Sequence, residues 1–569
     1  MSKIGKCRYG LNMEGSTRTV AAVILDLLAN EGVKKAFGIP GVHNLGFWNA
    51  LSKDRPEIVS VRHEQSCVYA ADGLARATGK LSVAITTTGP GAANTLGAFG
   101  EAAISGSHLL LISSEAPIKN RSSDGARGIL HEMDDQSSIF TPLAKRIKIG
   151  NDEIVLAKSC KTAEDAVATV VDFLKLLAIA PAGIGYIGVP SDVLNQGFTQ
   201  EIPKLSDRAA AFLAQENERQ INLEALESLL AQVNKIGIWA GGGAANFSGE
   251  IASLADHLNA PIFTSFAGRG VGSLSKNYLN IPIHENEAEQ LLAECEALLI
   301  FGSQLDGMNT KNWSIKLPKN ILLVDANPKI ALRNISANLV LQTSDISSVI
   351  TAIKALPARG RWADVAEIST QARKRISASD KGNAGMALVG AIEKSWPSEN
   401  YIVCDMAISG YWTGVYLQAK RARQISYPVG WGTLGFGLPA SLGPSAAGFA
   451  TLVICGDGGI AFGLGELATV AQEQLPLTIL LHDDGGYGML RFDQQVMQHP
   501  ERGVNLFNPD WQVLAQSFGI DFIHTNLTEL SDVLAKRSVS STPAIVLIKD
   551  PIYPPKSTSP RWSEKESVI

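Results

Sequence analysis

Two acidic turns carry the chemistry for which this chain can be read. The first, Gly456-Asp457-Gly458-Gly459, follows the apolar run Thr451–Cys455. The second, His482-Asp483-Asp484-Gly485-Gly486, ends the apolar run Leu477–Leu481. Between them Leu464, Leu467, Ala468 and Ala471 recur at helical spacing. Strand, glycine turn, helix, strand and acidic turn make a βαβ unit, whose two turns fall together at the carboxyl ends of neighbouring parallel strands. Asp457 and Asp484 then converge beside a helix N-terminus. Glycines let backbone N–H groups approach a phosphate, and the helix dipole favours the anion. Carboxylate oxygens beside a phosphate suit Mg²⁺, which keeps few protein ligands and takes the rest from phosphate and water. The residues alone predict a Mg²⁺–diphosphate site. A lone Gly-Asp-Gly is more often an ordinary βα turn; the second acidic turn shifts the balance toward a metal.

The elements that must position these turns are those of a large α/β protein. A chain of 569 residues is long enough for three or four domains. It is 45% hydrophobic and 18% charged with a net charge of −5, so it lacks the basic excess that nucleic-acid binding needs. No apolar run approaches bilayer length, and residues 1–16 lack the apolar core of a signal peptide. The cysteines (Cys7, Cys67, Cys160, Cys295, Cys404, Cys455) show no metal-ligand spacing, and Cys404 and Cys455 lie in apolar strand runs. The expectation is a cytoplasmic protein with no nucleic-acid or membrane partner.

Along the chain, Ser16–Glu31 is amphipathic, with Val20, Val23, Ile24, Leu27 and Leu28 on one face and Gly32 ending the helix. Strands are predicted at Lys35–Ile39, Ile58–Arg62, Ser82–Thr87, Leu109–Ser113 and Gly183–Val189. Polar residues 191–218 read as a linker. A second set of strands is Ile236–Ala240, Pro261–Ser265, Ala297–Gly302 and Asn320–Asp325. Gly241-Gly242-Gly243 after the first of these is a weak phosphate signal, and a tight structural turn is the simpler reading. Leu356–Gly382 reads as a second, helical linker. A third set is Ile402–Asp405, Thr451–Cys455, Thr478–His482 and Ala544–Ile548. Residues 1–14 and the chain after Pro551 read as extended tails. The predicted fold class is α/β, with three successive doubly wound parallel-sheet domains at 15–190, 205–356 and 383–550.

Gly456-Asp457-Gly458, then 24 residues (459–482), then a paired polar dipeptide resembles the thiamine-diphosphate motif of the 2-oxo-acid decarboxylase and acetohydroxyacid (acetolactate) synthase superfamily. The resemblance runs from about Thr17 to Lys549. It implies a pyrimidine-binding, a central and a diphosphate-binding domain, with thiamine diphosphate and Mg²⁺ as cofactors; FAD in the central domain is compatible with it but not predicted. By this resemblance Asp457 binds the metal, and Asp484 stands where most members have the second Asn of an Asn-Asn pair. Gly486 offers the metal its backbone carbonyl. Gly458 and Gly459 form the turn on the diphosphate. Ala407, Ile408 and Ser409 match a second diphosphate-contacting segment, where the synthases carry Gly-Gln-His. Gly430–Pro439 is similar to the synthases' Gly-Thr-Met-Gly-Phe-Gly-Leu-Pro-Ala-Ala. That match implies that the Gly432 carbonyl accepts a hydrogen bond from the aminopyrimidine. It also implies that Leu434 sits under the thiazolium, although by composition Leu434 is equally a plain core leucine. Asp484–Arg491 is similar to the FAD-independent catabolic acetolactate synthases, which implies that Tyr487, Gly488 and Met489 border the cofactor.

In the first domain Arg62-His63-Glu64-Gln65-Ser66 ends a strand and opens a helix. The matching Glu of the family binds the pyrimidine ring nitrogen and promotes the imino tautomer that generates the ylid. Such a carboxyl needs a largely apolar enclosure. Gly38–His43 resembles the family's Gly-x-Pro-Gly loop, and benzaldehyde lyase has a His at the position of His43. Leu130-His131-Glu132-Met133-Asp134 aligns with the synthases' Phe-Gln-Glu-x-Asp, so His131 replaces a Gln. A similar Leu-His-Glu occurs in 5-guanidino-2-oxopentanoate decarboxylases. Glu64, His131 and His43 are therefore the expected catalytic residues, histidine being suited to proton transfer near neutral pH. Thr88–Asn94 is expected to open a helix near the cofactor. Asp493 replaces a specificity-determining Trp of the biosynthetic synthases.

The activity implied is thiamine-diphosphate-dependent decarboxylation of a 2-oxo acid with carboligation to a second carbonyl, as in acetolactate synthases. The alternatives are simple decarboxylation of the guanidino-oxo-acid type and a benzaldehyde-lyase-like C–C cleavage. A non-catalytic cofactor-binding paralogue is more remote, because Glu64 and both acidic metal positions are present. The family architecture further implies a homodimer or homotetramer with its active site between subunits.

Overall fold

Runs of Val, Ile and Leu build three parallel sheets whose central strands are buried from end to end. In this computed structural model the described residues are 18–557, apart from 123, 126, 150, 151 and 217–222. The first sheet contains β1 (Lys35–Gly38), β2 (Glu57–Ser60), β3 (Ser82–Thr86) and β4 (Leu109–Glu115). A short antiparallel hairpin, β5 (Arg146–Ile149) and β6 (Asp152–Val155), stands apart from it. The chain then re-enters the sheet with β7 (Ala157–Ser159) and β8 (Ile184–Pro190), giving the order β2-β1-β3-β4-β8-β7. The second sheet has β9 (Ile236–Ala240), β10 (Ile262–Thr264), β11 (Ala297–Phe301), β12 (Asn320–Asp325) and β13 (Leu339–Gln342), in the order β10-β9-β11-β12-β13. The third has β14 (Tyr401–Cys404), β15 (Ile425–Ser426), β16 (Thr451–Gly456), β17 (Leu477–His482), β18 (Asp521–His524) and β19 (Ala544–Ile548), in the order β15-β14-β16-β17-β19-β18. Every pairing within these three sheets is parallel. Helices cover both faces, which is why β4, β8, β9, β16, β17 and β19 are buried at every residue. This is the expected α/β class with three parallel-sheet units.

Local signals explain the helices nearest the site. Thr19 caps the helix Val20–Asn30 by accepting the Ala22 N–H, and Gly32 follows at φ +82°. The helix Glu64–Thr78 begins with His63, whose ring accepts the Gln65 N–H, and ends at Gly79 in the left-handed region. It packs on the helix Gly437–Ala446 of the third domain. A Cβ on Gly73 would collide with the Ala440 carbonyl oxygen, and one on Gly443 with the Ala70 carbonyl oxygen. Both glycines therefore permit backbone-to-backbone contact between these domains. One core cluster spans that contact, joining Phe37, Tyr69 and Phe99 to Phe436, Leu438 and Ile460.

Three expectations need correction. The expected irregular linker 191–218 is, over its described residues 191–216, part of the first domain: Ser191–Leu194 and Asp207–Glu216 are helical, and the Phe198 N–H bonds the Arg18 carbonyl at 2.7 Å. Leu356–Gly382 contains the expected helix, Val365–Ala378, but the helix is packed as a brace rather than a free linker. Arg375 pairs with Glu285 at 2.6 Å and Glu287 at 2.7 Å, while Arg373 pairs with Glu393 at 2.7 Å. The chain after Pro551 is packed where it is described. Trp412 Nε1 donates to the Tyr553 carbonyl at 2.7 Å, and Ile552 and Ser557 are buried. Residues 1–14 and 558–569 lie outside the described residues. Among the described residues no helix is long and apolar enough to cross a membrane.

Candidate cofactor site

β14, β16 and β17 are neighbours, so the loops leaving their carboxyl ends emerge side by side. Asp457, at the end of β16, is 1% exposed and accepts from Asn508 Nδ2 at 2.5 Å. Burial pushes its carboxyl above the ordinary range, and the Asp483 charge adds to the push. The two aspartates of the next turn differ. Asp483 accepts from Asn508 Nδ2 (2.8 Å), the Gly485 N–H (3.2 Å) and Trp511 Nε1 (3.0 Å), and it pairs with Lys549 at 3.2 Å. Burial works against its charge, yet the hydrogen bonds from Lys549 and Trp511 hold its carboxyl below the ordinary range. Asp484 pairs with Arg491 at 3.1 Å. Burial raises its carboxyl, His482 opposes that, and Asp457 adds to it. Asp483 therefore fastens the turn, whereas Asp457 and Asp484 repel one another across it.

The Gly486 carbonyl joins them. Its oxygen lies 3.3 Å from where a Cβ on Gly458 would stand, so it faces the Gly-Asp-Gly-Gly turn. Gly486 has φ +146°, and a Cβ there would collide with the Val504 carbonyl oxygen. Only glycine turns the carbonyl this way. The Tyr487 ring lies against Gly458, Gly488 leaves room for the Asp484 carboxylate, and Met489 is partly buried against the third domain's core. Among the described residues no cluster of three His, Cys, Asp or Glu side chains could hold a metal ion. The donors here are two carboxylates and a carbonyl, a set that suits Mg²⁺ completed by phosphate and water.

The phosphate side is open in the same way. Ala407 is the N-cap of the helix Ile408–Tyr416 and supplies no side-chain cap. Its Cβ lies 3.0 Å from the position a Cβ on Gly456 would take, which sets this helix start against β16. Ser409 is wholly buried, and its hydroxyl oxygen has no protein partner. A buried hydroxyl beside an uncapped helix N-terminus and a glycine turn is matched to an anion, so these residues fit a metal–diphosphate group. Asp405 ties the arrangement together. It is fully buried and accepts the N–H groups of Met406 (2.7 Å), Gly435 (3.0 Å) and Gly437 (3.1 Å). Burial pushes its carboxyl up to about 6. The loop it holds brings Leu434 within 3.4 Å of a Cβ position on Gly459, and Gly432 sits at φ +67° beside Met406.

At the first sheet the loops after β1, β2, β3 and β4 meet at their carboxyl ends. Glu64 is half-buried and accepts from Asn94 Nδ2 at 3.1 Å. Asn94 follows the short helix Pro90–Ala93, so Thr88–Asn94 opens a helix, as expected, and also touches Glu64. Gly91 and Gly41 both face Thr87. The His43 and His131 rings stand edge to face with centroids 6.0 Å apart. His43 Nδ1 lies 3.4 Å from Ser191 Oγ. His43 Nε2 and His131 Nδ1 are buried without hydrogen-bond partners. Burial lowers the His43 pKa, and the neighbouring His131 lowers it further. His131 has φ +64°, and its carbonyl accepts from Thr88 Oγ1 at 3.4 Å. Gln136 anchors this corner: its carbonyl accepts the Gly89 N–H (2.7 Å) and Thr88 Oγ1 (3.0 Å), and its amide donates to Tyr186 Oη (2.7 Å). The structure thus brings Glu64, His43 and His131 to one edge and the metal and phosphate residues to another. Among the described residues no hydrogen bond or ion pair joins the two groups. The enclosure expected around Glu64 is not completed by its own loops.

Asn508, Asp405 and Gln136 were not predicted as site residues. Asp405 carried a usable signal, a carboxylate at the end of a buried strand. Asn508 and Gln136 act on partners distant in sequence and left none. In the central domain, a Cβ on Gly241 would collide with the Gly302 carbonyl oxygen and one on Gly243 would come within 2.9 Å of Gly302 Cα. Close packing of two βα turns accounts for these glycines.

Three family models match: thiamine pyrophosphate enzyme, N-terminal TPP binding domain, over residues 18–139; the central domain over 223–353; and the C-terminal TPP binding domain over 405–548. The chain belongs to the thiamine pyrophosphate (thiamine diphosphate) enzymes. It is 31% identical over 531 residues to the probable 2-ketoarginine decarboxylase AruI of Pseudomonas aeruginosa, covering 88% of this chain and 89% of that one. The probable acetolactate synthase large subunit of Methanocaldococcus jannaschii is 25% identical over 526 residues, covering 88% and 86%. The acetolactate synthase isozyme 2 large subunit of Escherichia coli is 24% identical over 572 residues, covering 96% and 99%.

Proposed function

We propose that this enzyme decarboxylates a 2-oxo acid and releases the product by protonation. The observation that carries this reading is the His43–His131 pair, whose free ring nitrogens lie on the same sheet edge as Glu64. Bound thiamine diphosphate supplies the electron sink for carbon–carbon cleavage. Asp457, Asp484 and the Gly486 carbonyl would hold Mg²⁺. Gly458, Gly459, Ala407, Ile408 and Ser409 would receive the diphosphate. The Gly432 carbonyl and Leu434 would orient the ring system, and Tyr487, Gly488 and Met489 would border it. Glu64, held by Asn94, would present its carboxyl to the pyrimidine end of the cofactor and hold a proton there. His131 and His43 carry the proton that ends the cycle.

The substrate is a cationic, guanidino-type 2-oxo acid. This follows the name of the 2-ketoarginine decarboxylase relative, and Asp493, half-buried on the helix Gly488–Val496 that follows the Asp484 turn, is the residue whose part in it is tested. A second reading is carboligation, favoured by the acetolactate synthase relatives and the Asp484–Arg491 stretch. The enzyme works as a homo-oligomer in the cytoplasm. Val42 (79% exposed) and Leu130 (65%) border the first edge, and Leu490 (53%) and Phe507 (98%) border the second, apolar surface that a second copy would cover. Purified protein with thiamine diphosphate and Mg²⁺ is given 2-ketoarginine or pyruvate, and CO₂, aldehyde and acetolactate are followed together. Aldehyde from 2-ketoarginine is expected. Acetolactate as the main product would select the second reading, and equal turnover of both acids, unchanged in Asp493→Ala, would exclude the role given to Asp493.

A further inference from the structure

The loop that presents Gly432 and Leu434 is gripped from outside its own domain. Glu101 lies on the helix Leu96–Ser105 of the first domain and is wholly buried. Its Oε1 accepts from Arg76 Nη2 (3.0 Å), Ser105 Oγ (2.9 Å) and the Gly430 N–H (3.0 Å). Its Oε2 accepts from the Trp431 N–H (2.8 Å) and Thr433 Oγ1 (3.3 Å). Three of these five donors are consecutive or nearly consecutive loop positions, 430, 431 and 433. The Trp431 ring occupies the space left by the missing side chain of Gly100, one residue away on the same helix. The carboxylate and this socket therefore hold the loop on both sides of Trp431. Asp405 holds it from the other end, at Gly435 and Gly437.

We propose that Glu101 is a positioning residue for the cofactor, fixing where the Gly432 carbonyl points by holding the Gly430 and Trp431 N–H groups before it and the Thr433 hydroxyl after it. This rests on the ring-orienting role given above to Gly432. A carboxylate is needed because every partner donates, and an amide has only one accepting oxygen and sets its NH₂ against at least one of those donors. Despite complete burial, which favours the neutral acid, Arg76 and the Trp431 and Gly430 N–H groups keep the Glu101 carboxyl below its ordinary range. Arg76 also pairs with Asp72 at 2.7 Å. Asp72 thus shares the buried cation without touching the loop, and it supplies the control.

The test is isothermal titration calorimetry of thiamine diphosphate into the full-length protein at saturating Mg²⁺, alongside thermal melting without the cofactor. Glu101→Gln is expected to weaken cofactor binding about tenfold, the weight of one charge-assisted hydrogen bond. Glu101→Asp, which keeps the charge on a shorter stem, is expected to fall between, and it stands in if the glutamine variant does not fold. Asp72→Asn is expected to lower the melting temperature but leave cofactor affinity within about twofold of wild type. Wild-type affinity in both Glu101 variants would overturn the proposal, as would equal loss of affinity in Asp72→Asn. If Gly432→Ala, strained at φ +67°, also binds the cofactor like wild type, the ring-orienting reading fails as well.

Discussion

The two edges proposed to face the cofactor differ in how completely the chain finishes them. In the third domain Asp483 takes four donors, Asp405 takes three backbone N–H groups, and Gly486 is locked by its dihedral angle. Among the described residues at this edge, the Ser409 hydroxyl is buried without a partner, where an anion fits. In the first domain Glu64 has a single side-chain donor in Asn94, and both histidines keep a ring nitrogen without a partner. An edge that must bind one fixed group can be preorganised around it. An edge that must exchange protons has to leave lone pairs available.

The sharpest way to break this contrast is Glu64→Gln. It is expected to lower kcat by on the order of 10²–10⁴-fold while leaving thiamine diphosphate affinity, measured by calorimetry, nearly unchanged. If affinity collapses too, the first edge binds as much as it reacts. Acid is expected to affect the halves in opposite directions. His108 in the first domain is lowered to about 4 by burial and by Lys145. Between pH 6.5 and 4 the unfolded chain binds a proton that the folded chain does not, so stability falls as the pH drops. His108→Gln is expected to remove about 2 kcal/mol of that loss, read from urea unfolding at the two pH values. Asp405, raised to about 6, contributes the other way, adding stability as the pH falls from 6 to 3.8.

Asn508→Ala removes the donor shared by Asp457 and Asp483 and is expected to cost about 1–3 kcal/mol in denaturant unfolding, together with weaker Mg²⁺ activation. An unchanged Mg²⁺ curve would mean that the shared donor is scaffolding alone. The smallest effect belongs to Asp484→Asn. Activity is expected to persist with a Mg²⁺ requirement shifted by less than about tenfold, since one charge beside the cation is lost while an oxygen donor remains. Identical Mg²⁺ titrations for variant and wild type would remove Asp484 from the metal.

Much of the fold was legible because central strands buried on both faces are continuous apolar runs. Ile236–Ala240, Asn320–Asp325 and Ala544–Ile548 were predicted residue for residue. The edge strands β7, β13, β15 and β18 were not, being two to four residues long and only partly buried. The segment 191–218 misled because its polar residues suggested solvent, whereas its buried members, Val193, Leu194, Phe198 and Phe212, join the first domain's core. At the site, glycines and acidic residues close together in sequence marked the turns. Asp484 was singled out from the Asp483-Asp484 pair, but what Asp483 does shows only in the partners: Trp511 and Lys549 hold Asp483, and Arg491 pairs with Asp484. Glu101, Gln136 and Asn508 were invisible because each works on loops far away in sequence.

The contact between Gly73 and Ala440, and the socket at Gly100 filled by Trp431, also bear on how this enzyme can be recombined. The first and third domains are not interchangeable cassettes. A chimera that takes its first domain from a relative with alanine or a larger residue at either glycine position would drive a side chain into the facing backbone or indole. Domain exchange within this family should therefore move residues 73 and 100 together with 431 and 440, or repair both seams after the graft.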